Sequence, residues 1–267
     1  MPANRVKIFG ERNTGTNALS RIIEENSAAR CLPATSGELD PLLGRIGNAA
    51  WLPGKRMRER LLDSVFEGKG PLCAWKHCAT NFPDAVAFDG VLVLFMVRHP
   101  GSWLVSLFRR PYQRLERHPS TLAEFLDSKW ETAGRERLGR ARFRPLELLQ
   151  VKLDSYFSFA EKLAERGIPH RFLRFEDIVL DQRGLYSSIA PELENARSAF
   201  RELQTSTKDR SKTLEDYRDY YDNERWREAL TDLEPSIDRQ VDWSKFQRFG
   251  YRRLTAGISA SSSDRRD

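Results

Sequence analysis

Seven consecutive apolar residues, VLVLFMV from Val91 to Val97, form the longest apolar run in the chain. The run does not alternate with polar residues, and Arg98 and Pro100 follow it. That pattern predicts a strand buried on both faces of a parallel sheet. RVKIFG (Arg5 to Gly10) is short, β-branched and closed by glycine, and predicts another strand. TNALSRIIEEN follows with Ala18, Leu19, Ile22 and Ile23 at helical spacing, and Thr16 is placed to cap that helix. GPLCAWKH (Gly70 to His77) is expected as a further strand. A helix with Trp103, Leu104, Leu107 and Phe108 on one side follows Pro100, and Pro145 to Gly167 is a long amphipathic helix with Pro at its start and Gly at its end. PHRFLRFEDI gives another strand, and from around Gln182 the chain reads as helical and charged. Residues 30–56 are rich in Pro and Gly and read as irregular.

Strands alternating with helices predict an α/β fold with a central parallel sheet flanked by helices and a helical C-terminal part. No repeat or linker is visible, so residues 1–255 are expected as one domain. The small, polar stretch AGISASSSDRRD, residues 256–267, is expected as a disordered tail.

Composition narrows the class. The 267 residues are 40% hydrophobic and 31% charged, as in a globular protein with a charged surface. The net charge of +6 fits either a solvated basic face or an anionic ligand. No basic stripe is interleaved with aromatics, so nucleic acid is not an expected partner. Cys31, Cys73 and Cys78 are odd in number and fit neither a disulfide framework nor a zinc site, which favours a reducing compartment. The N-terminus lacks an apolar signal core, and Val91–Val97 is too short to span a bilayer. A cytoplasmic protein without stable membrane insertion is expected.

Three short stretches carry candidate chemistry. Gly10 and Gly15 are spaced like the two glycines of a phosphate-binding loop, between a predicted strand and a predicted helix. An ordinary strand-to-helix turn has the same glycines, and the triphosphate version continues with Lys and Ser/Thr where this chain has Thr16 and Asn17. Asn13 can donate a hydrogen bond but cannot neutralise charge; Arg12, one residue earlier, can. Arg98 ends the strongest strand and Ser106 lies eight residues later, a pair that can grip one phosphate or can be ordinary surface residues. Glu176 and Asp177, in RFEDIVLD, look like catalytic carboxylates, but acids placed here more often cap helices or pair with arginines.

Together these stretches resemble the sulfotransferase superfamily that uses 3′-phosphoadenosine 5′-phosphosulfate (PAPS). Asn13-Thr14-Gly15-Thr16-Asn17 is similar to the first loop of that family, K-[ST]-G-T-[TN]. VRHPGSWLVSLF, with Arg98 and Ser106, resembles its R-x-P-x-x-x-x-x-S signature, and RFEDI (Arg174 to Ile178) its RYEDL landmark. The three occur in the family's order, within residues 5–180. The resemblance implies a P-loop-like fold and transfer of a sulfuryl group from PAPS, leaving PAP, to a hydroxyl or amine of a small-molecule or glycan acceptor, without a metal. It implies that Asn13, Thr14, Gly15, Thr16 and Asn17 hold the 5′-phosphosulfate and that Arg98 and Ser106 hold the 3′-phosphate. WKHCATNFP is similar to the family's K-[ST]-H-x-P, one residue shorter, which makes His77 the candidate base. Asn13 stands where the family has a lysine, so Arg12, or failing it Lys76, is expected to supply the missing charge. Lys208, Arg210 and Lys212 lie where the family closes a basic loop over the nucleotide. Trp51, Tyr112 and Trp130 are candidates to stack on an acceptor ring. A degenerate P-loop kinase or NTPase, and a non-catalytic nucleotide-binding protein of the same fold, are the alternatives.

Overall fold

The computed structural model describes residues 2–47, 54–111, 117–205 and 212–255. Strand β1 (Arg5–Gly10) leads into helix α1 (Thr16–Asn26), and β2 (Arg30–Cys31) is followed by α2 (Ser36–Leu39), α3 (Pro41–Gly47) and α4 (Lys55–Ser64). Strand β3 (Val91–Val97) feeds α5 (Pro100–Arg109). Helix α6 (Leu122–Asp127) and an antiparallel ribbon of β4 (Trp130–Glu131) and β5 (Arg142–Phe143) precede the long α7 (Pro145–Glu165). Strand β6 (His170–Arg174) runs directly into α8 (Phe175–Leu180) and α9 (Gln182–Ile189). Helices α10 (Leu214–Asp222), α11 (Glu234–Gln240) and α12 (Trp243–Gln247) follow.

The central sheet is α/β and wholly parallel, in the order β2-β1-β3-β6. Its two faces explain the unbroken apolar run of β3. Val91, Val93, Phe95 and Val97 pack into the cluster that holds α5 and α7, while Leu92, Leu94 and Met96 pack into the one that holds α1, α8 and α9. Each fully buried side chain of this kind contributes about 1.5–3 kcal/mol. On α7, Leu146, Leu149, Leu153, Tyr156, Ala160 and Leu163 recur every three or four residues and form the stripe that covers the sheet. Pro145 opens that helix, and Gly167, at φ +66, ends its chain run.

The order of the strands places the site. From β1 the chain moves to β2 on one side, and then returns to the other side of β1 for β3 and β6. The loops leaving β1 and β3 therefore part company, which opens a crevice at the carboxyl ends of these two strands. The first loop follows β1, and Arg98 follows β3.

Three expectations need correcting. Gly70–His77 is not a strand: Pro71–Cys73 forms a 3-10 turn, and Pro71 brings no N–H. The carbonyls of Leu72 and Ala74 accept from the buried ammonium of Lys7, at 2.8 and 2.7 Å, instead of from a neighbouring strand. The same ammonium takes Pro33 O at 2.9 Å. The stretch expected to be irregular contains β2, paired with β1 through Arg5↔Arg30 and Val6↔Cys31. The late strand stops at Arg174, so Glu176 and Asp177 sit in the first turn of α8. All three cysteines are free. No helix among the described residues is long and apolar enough to cross a membrane.

Candidate functional site

The loop after β1 is shaped by its glycines and by two residues in the left-handed region. A Cβ on Gly10 would lie 2.6 Å from Thr14 Oγ1 and 2.7 Å from Met96 Cβ, so only glycine lets the chain double back here. Thr14 closes the turn: its N–H and its hydroxyl both donate to Glu11 O, at 3.2 and 2.6 Å. Asn13 at φ 64 and Gly15 at φ 85 flank it, both in the left-handed region. Gly15 is the N-cap of α1 and supplies no side-chain cap. Thr16, expected as the cap, is the first helical residue, and its side chain is buried. The first amides of α1 therefore have no acceptor within the helix, and the positive end of the helix dipole lies at the crevice.

Two buried arginines beside this loop have opposite electrostatic settings. Arg12 has two carboxylates. Its guanidinium meets Glu11 at 3.0 Å and Glu136 at 2.7 Å, and it lies over the Trp75 ring. Lys152 completes a quartet by pairing with the same two acids, 2.6 Å from Glu136, and donates to His77 O at 2.7 Å. All four side chains are at most 4% exposed. Arg98 is equally buried, but no carboxylate of the described residues pairs with it. Its partners are neutral: Asn13 O, Ser102 and the Tyr221 hydroxyl, with Phe175 facing the guanidinium at 4.1 Å. A buried cation without a counter-charge is costly unless an anion joins it. Arg98 is thus the arginine available to an anion, and Arg12 is already neutralised.

Arg98 opens on a cavity of ≈ 270 Å³ that Asn13, Gly15, Ser106 and Lys212 also line. Arg109 and Arg110 line it too, and Asp216 is the one acid among its described lining residues. Ala18, Ile178, Val179, Leu203 and Leu214 make an apolar wall. Of the expected ligand residues, then, Asn13, Gly15, Arg98, Ser106 and Lys212 come together here. Thr14 is turned inward on Glu11 O. Thr16 and Asn17 line a second cavity of ≈ 240 Å³ on the other side of α1, together with Ser20, Glu38 and Lys76. Lys208 and Arg210 lie outside the described residues, as do Trp51 and Tyr112. Trp130 is buried in β4 against Phe125, which makes it a packing residue.

Gly10 also holds the Lys76–His77 pair in place. Its N–H donates to Lys76 O at 2.9 Å, and its carbonyl lies 2.6 Å from His77 Nδ1. A carbonyl only accepts, so Nδ1 carries the hydrogen and Nε2 keeps its lone pair. Burial lowers the His77 pKa well below its usual value, and the nearby Lys76, Arg12 and Lys152 charges add to this. The imidazole is therefore neutral near pH 7. The Lys76 ammonium hydrogen-bonds the Asn17 side chain in the first turn of α1. Burial lowers its pKa, and Glu38 partly offsets that. Arg12, expected to bring charge to the loop, is ion-paired with Glu11 and Glu136. Lys76, bonded to Asn17, is a second cation beside the loop, with Arg98 at Asn13 O.

Glu176 has a structural setting. It accepts from His99 N at 3.1 Å and from the Tyr251 hydroxyl at 2.5 Å, tying α8 to α5 and to the segment after α12. Asp177 lies 3.7 Å from Arg174. Sequence reasoning missed Glu136, Lys152 and the α10 tyrosines Tyr217, Tyr220 and Tyr221, all of which border the loop or the first cavity. Only the clustering YRDYY (Tyr217 to Tyr221) signalled the last three. Among the described residues no group of three or more His, Cys, Asp or Glu could hold a metal. No family model matches the chain, and no curated protein matches it at a significant level.

Proposed function

We propose that the chain is a PAPS-dependent sulfotransferase with a P-loop-like arrangement around its parallel sheet. The observation that carries this reading is Arg98, a buried cation whose partners among the described residues are all neutral, lining one cavity with Ser106 and with Asn13 and Gly15 of the first loop. The donors suit PAPS in kind: an arginine and a hydroxyl for the 3′-phosphate, helix-end amides for the 5′-phosphosulfate, and an apolar wall for the base.

In the proposed reaction, the acceptor oxygen or nitrogen attacks sulfur as the bond from sulfur to the 5′-phosphate oxygen breaks. PAP departs with that electron pair. His77 Nε2 takes the acceptor proton. Lys76, at the first turn of α1, offsets the charge that grows on the leaving phosphate, a role worth about 2.7–4 kcal/mol of barrier for one good donor. Arg12 supports the loop through its carboxylates and stays out of the chemistry.

Calorimetry with PAP and with ATP, with and without magnesium, tests the reading on wild type and on Arg98→Ala. The expected result is magnesium-independent PAP binding that weakens at least about tenfold in the variant, as for loss of charge-assisted hydrogen bonds. Magnesium-dependent ATP binding with indifference to PAP would overturn it. Labelled PAPS offered with a panel of glycans, lipids and phenols then identifies the acceptor.

A further inference from the structure

The hydrogen-bond inventory of Arg98 points to a ligand contact that neither the sequence pattern nor the resemblance assigns. A guanidinium has five N–H groups. Nε donates to Ser102 Oγ at 3.0 Å, and Nη2 donates to Ser102 O at 3.0 Å and to the Tyr221 hydroxyl at 2.5 Å. Nη1 donates to Asn13 O at 2.5 Å. One N–H remains, on Nη1. A phosphate monoester carries three terminal oxygens and two charges, so one N–H and the Ser106 hydroxyl leave it short of donors.

Tyr221 is placed to supply the next one. Its oxygen accepts from Arg98, and among the described residues its own proton has no acceptor. The ring lines the same cavity and is held edge-on by Phe175 at 5.1 Å and by Tyr220 at 5.2 Å. Burial raises the Tyr221 pKa to about 12, against the opposing pull of Arg98, so the hydroxyl remains a donor near neutral pH.

We propose that Tyr221 is a ligand-binding residue: held by Arg98 Nη2, its hydroxyl donates to the phosphate monoester that Arg98 Nη1 and Ser106 also meet. It thereby helps select nucleotides that carry a 3′-phosphate. Its location on α10, 123 residues from Arg98, makes that helix part of the binding site. The inference rests on the PAPS reading.

The test is titration calorimetry of PAP and of AMP, which lacks the 3′-phosphate, on wild type, Arg98→Ala and Tyr221→Phe. The phenylalanine variant keeps the ring and removes one oxygen. It should bind PAP about tenfold more weakly and AMP unchanged. In the wild type, PAP but not AMP should slow exchange of the Tyr221 hydroxyl proton in NMR spectra, which reads the contact without a substitution. A wild type that binds PAP no better than AMP overturns the PAPS reading itself. A wild type that prefers PAP and needs Arg98, with Tyr221→Phe indistinguishable from it or weakened equally toward both ligands, overturns this inference alone.

Discussion

Replacing Glu136 by glutamine changes one atom in a closed electrostatic unit. Oε1 accepts from Arg12 Nη2 at 2.7 Å and from Ala133 N at 3.0 Å, and Oε2 accepts from Lys152 Nζ at 2.6 Å and from Arg12 Nη1 at 3.3 Å. Glutamine preserves one oxygen and presents N–H groups to the other pair of donors. The quartet goes from two positive and two negative charges to an excess of one positive charge, at side chains no more than 4% exposed. Two charge-assisted bonds are lost, and a buried cation is left uncompensated, which together cost about 3–5 kcal/mol. Urea unfolding should read this directly, and a thermal melt should fall by roughly 10 °C. Adding Lys152→Met removes the excess charge and should recover at least about 1 kcal/mol, a coupling that distant sites do not have. Acid provides a second check. Burial pushes the Glu136 carboxyl up, but Arg12 and Lys152 more than offset this and hold it well below the usual carboxylate range. Its contribution is complete above about pH 4.3, the unfolded value, and declines as pH falls toward the folded one, so the gap between wild type and Glu136→Gln should narrow there. A loss under about 1 kcal/mol at neutral pH, with no recovery in the double variant, would refute the reasoning.

Three further outcomes are expected. Burial lowers Lys7 to about 8, and its unfolded value is about 10.4; between these the unfolded chain binds more protons, so this group makes stability rise with pH by about 3 kcal/mol. Unfolding free energies from about pH 7 to about pH 11 should carry that rise in wild type relative to Lys7→Met, and a constant difference between the two would contradict it. His77→Ala should lower sulfuryl transfer by about 10²–10⁴ with PAP affinity retained, and the acid limb of wild-type kcat/KM should lie below about pH 6.5; turnover that survives the substitution places the base elsewhere. Lys76→Met should cut turnover by about 10²–10³ at an unchanged melting temperature, whereas Arg12→Met should cost about 3–5 kcal/mol of stability. The reverse pattern would restore Arg12 to the chemistry.

The parts of the fold that were legible are those in which local pattern and burial agree. β1, β3, α1 and α7 follow from apolar runs and helical spacing, because both sheet faces and the inner face of each helix are covered. β2 has two residues and no pattern of its own; it exists because β1 offers an edge. Gly70–His77 looks extended in sequence, yet the carbonyls that would build a ladder there serve Lys7, from a strand more than sixty positions away. The site divides in the same manner. The glycines of the loop, Arg98 and Ser106 are readable as spacings. The neutralisation of Arg12 depends on Glu136, 124 residues distant, and the Tyr221 contact on a helix 123 residues from Arg98. Charge at a single position says nothing of its counter-charge, so the sequence favoured the nearer arginine over Lys76.

Trp75 lies at the centre of the buried charges, with Arg12 at 5.1 Å, Arg135 at 4.8 Å and Lys152 at 5.9 Å from its ring. An indole redistributes charge when it absorbs light, so cations fixed at this range shift the energy of its emission. Because two of the three belong to the quartet that anchors the loop, the colour of Trp75 fluorescence becomes an intrinsic gauge of that anchor. With the other tryptophans subtracted through a Trp75→Phe reference, the loop can be followed in real time as ligand arrives, without attaching a dye.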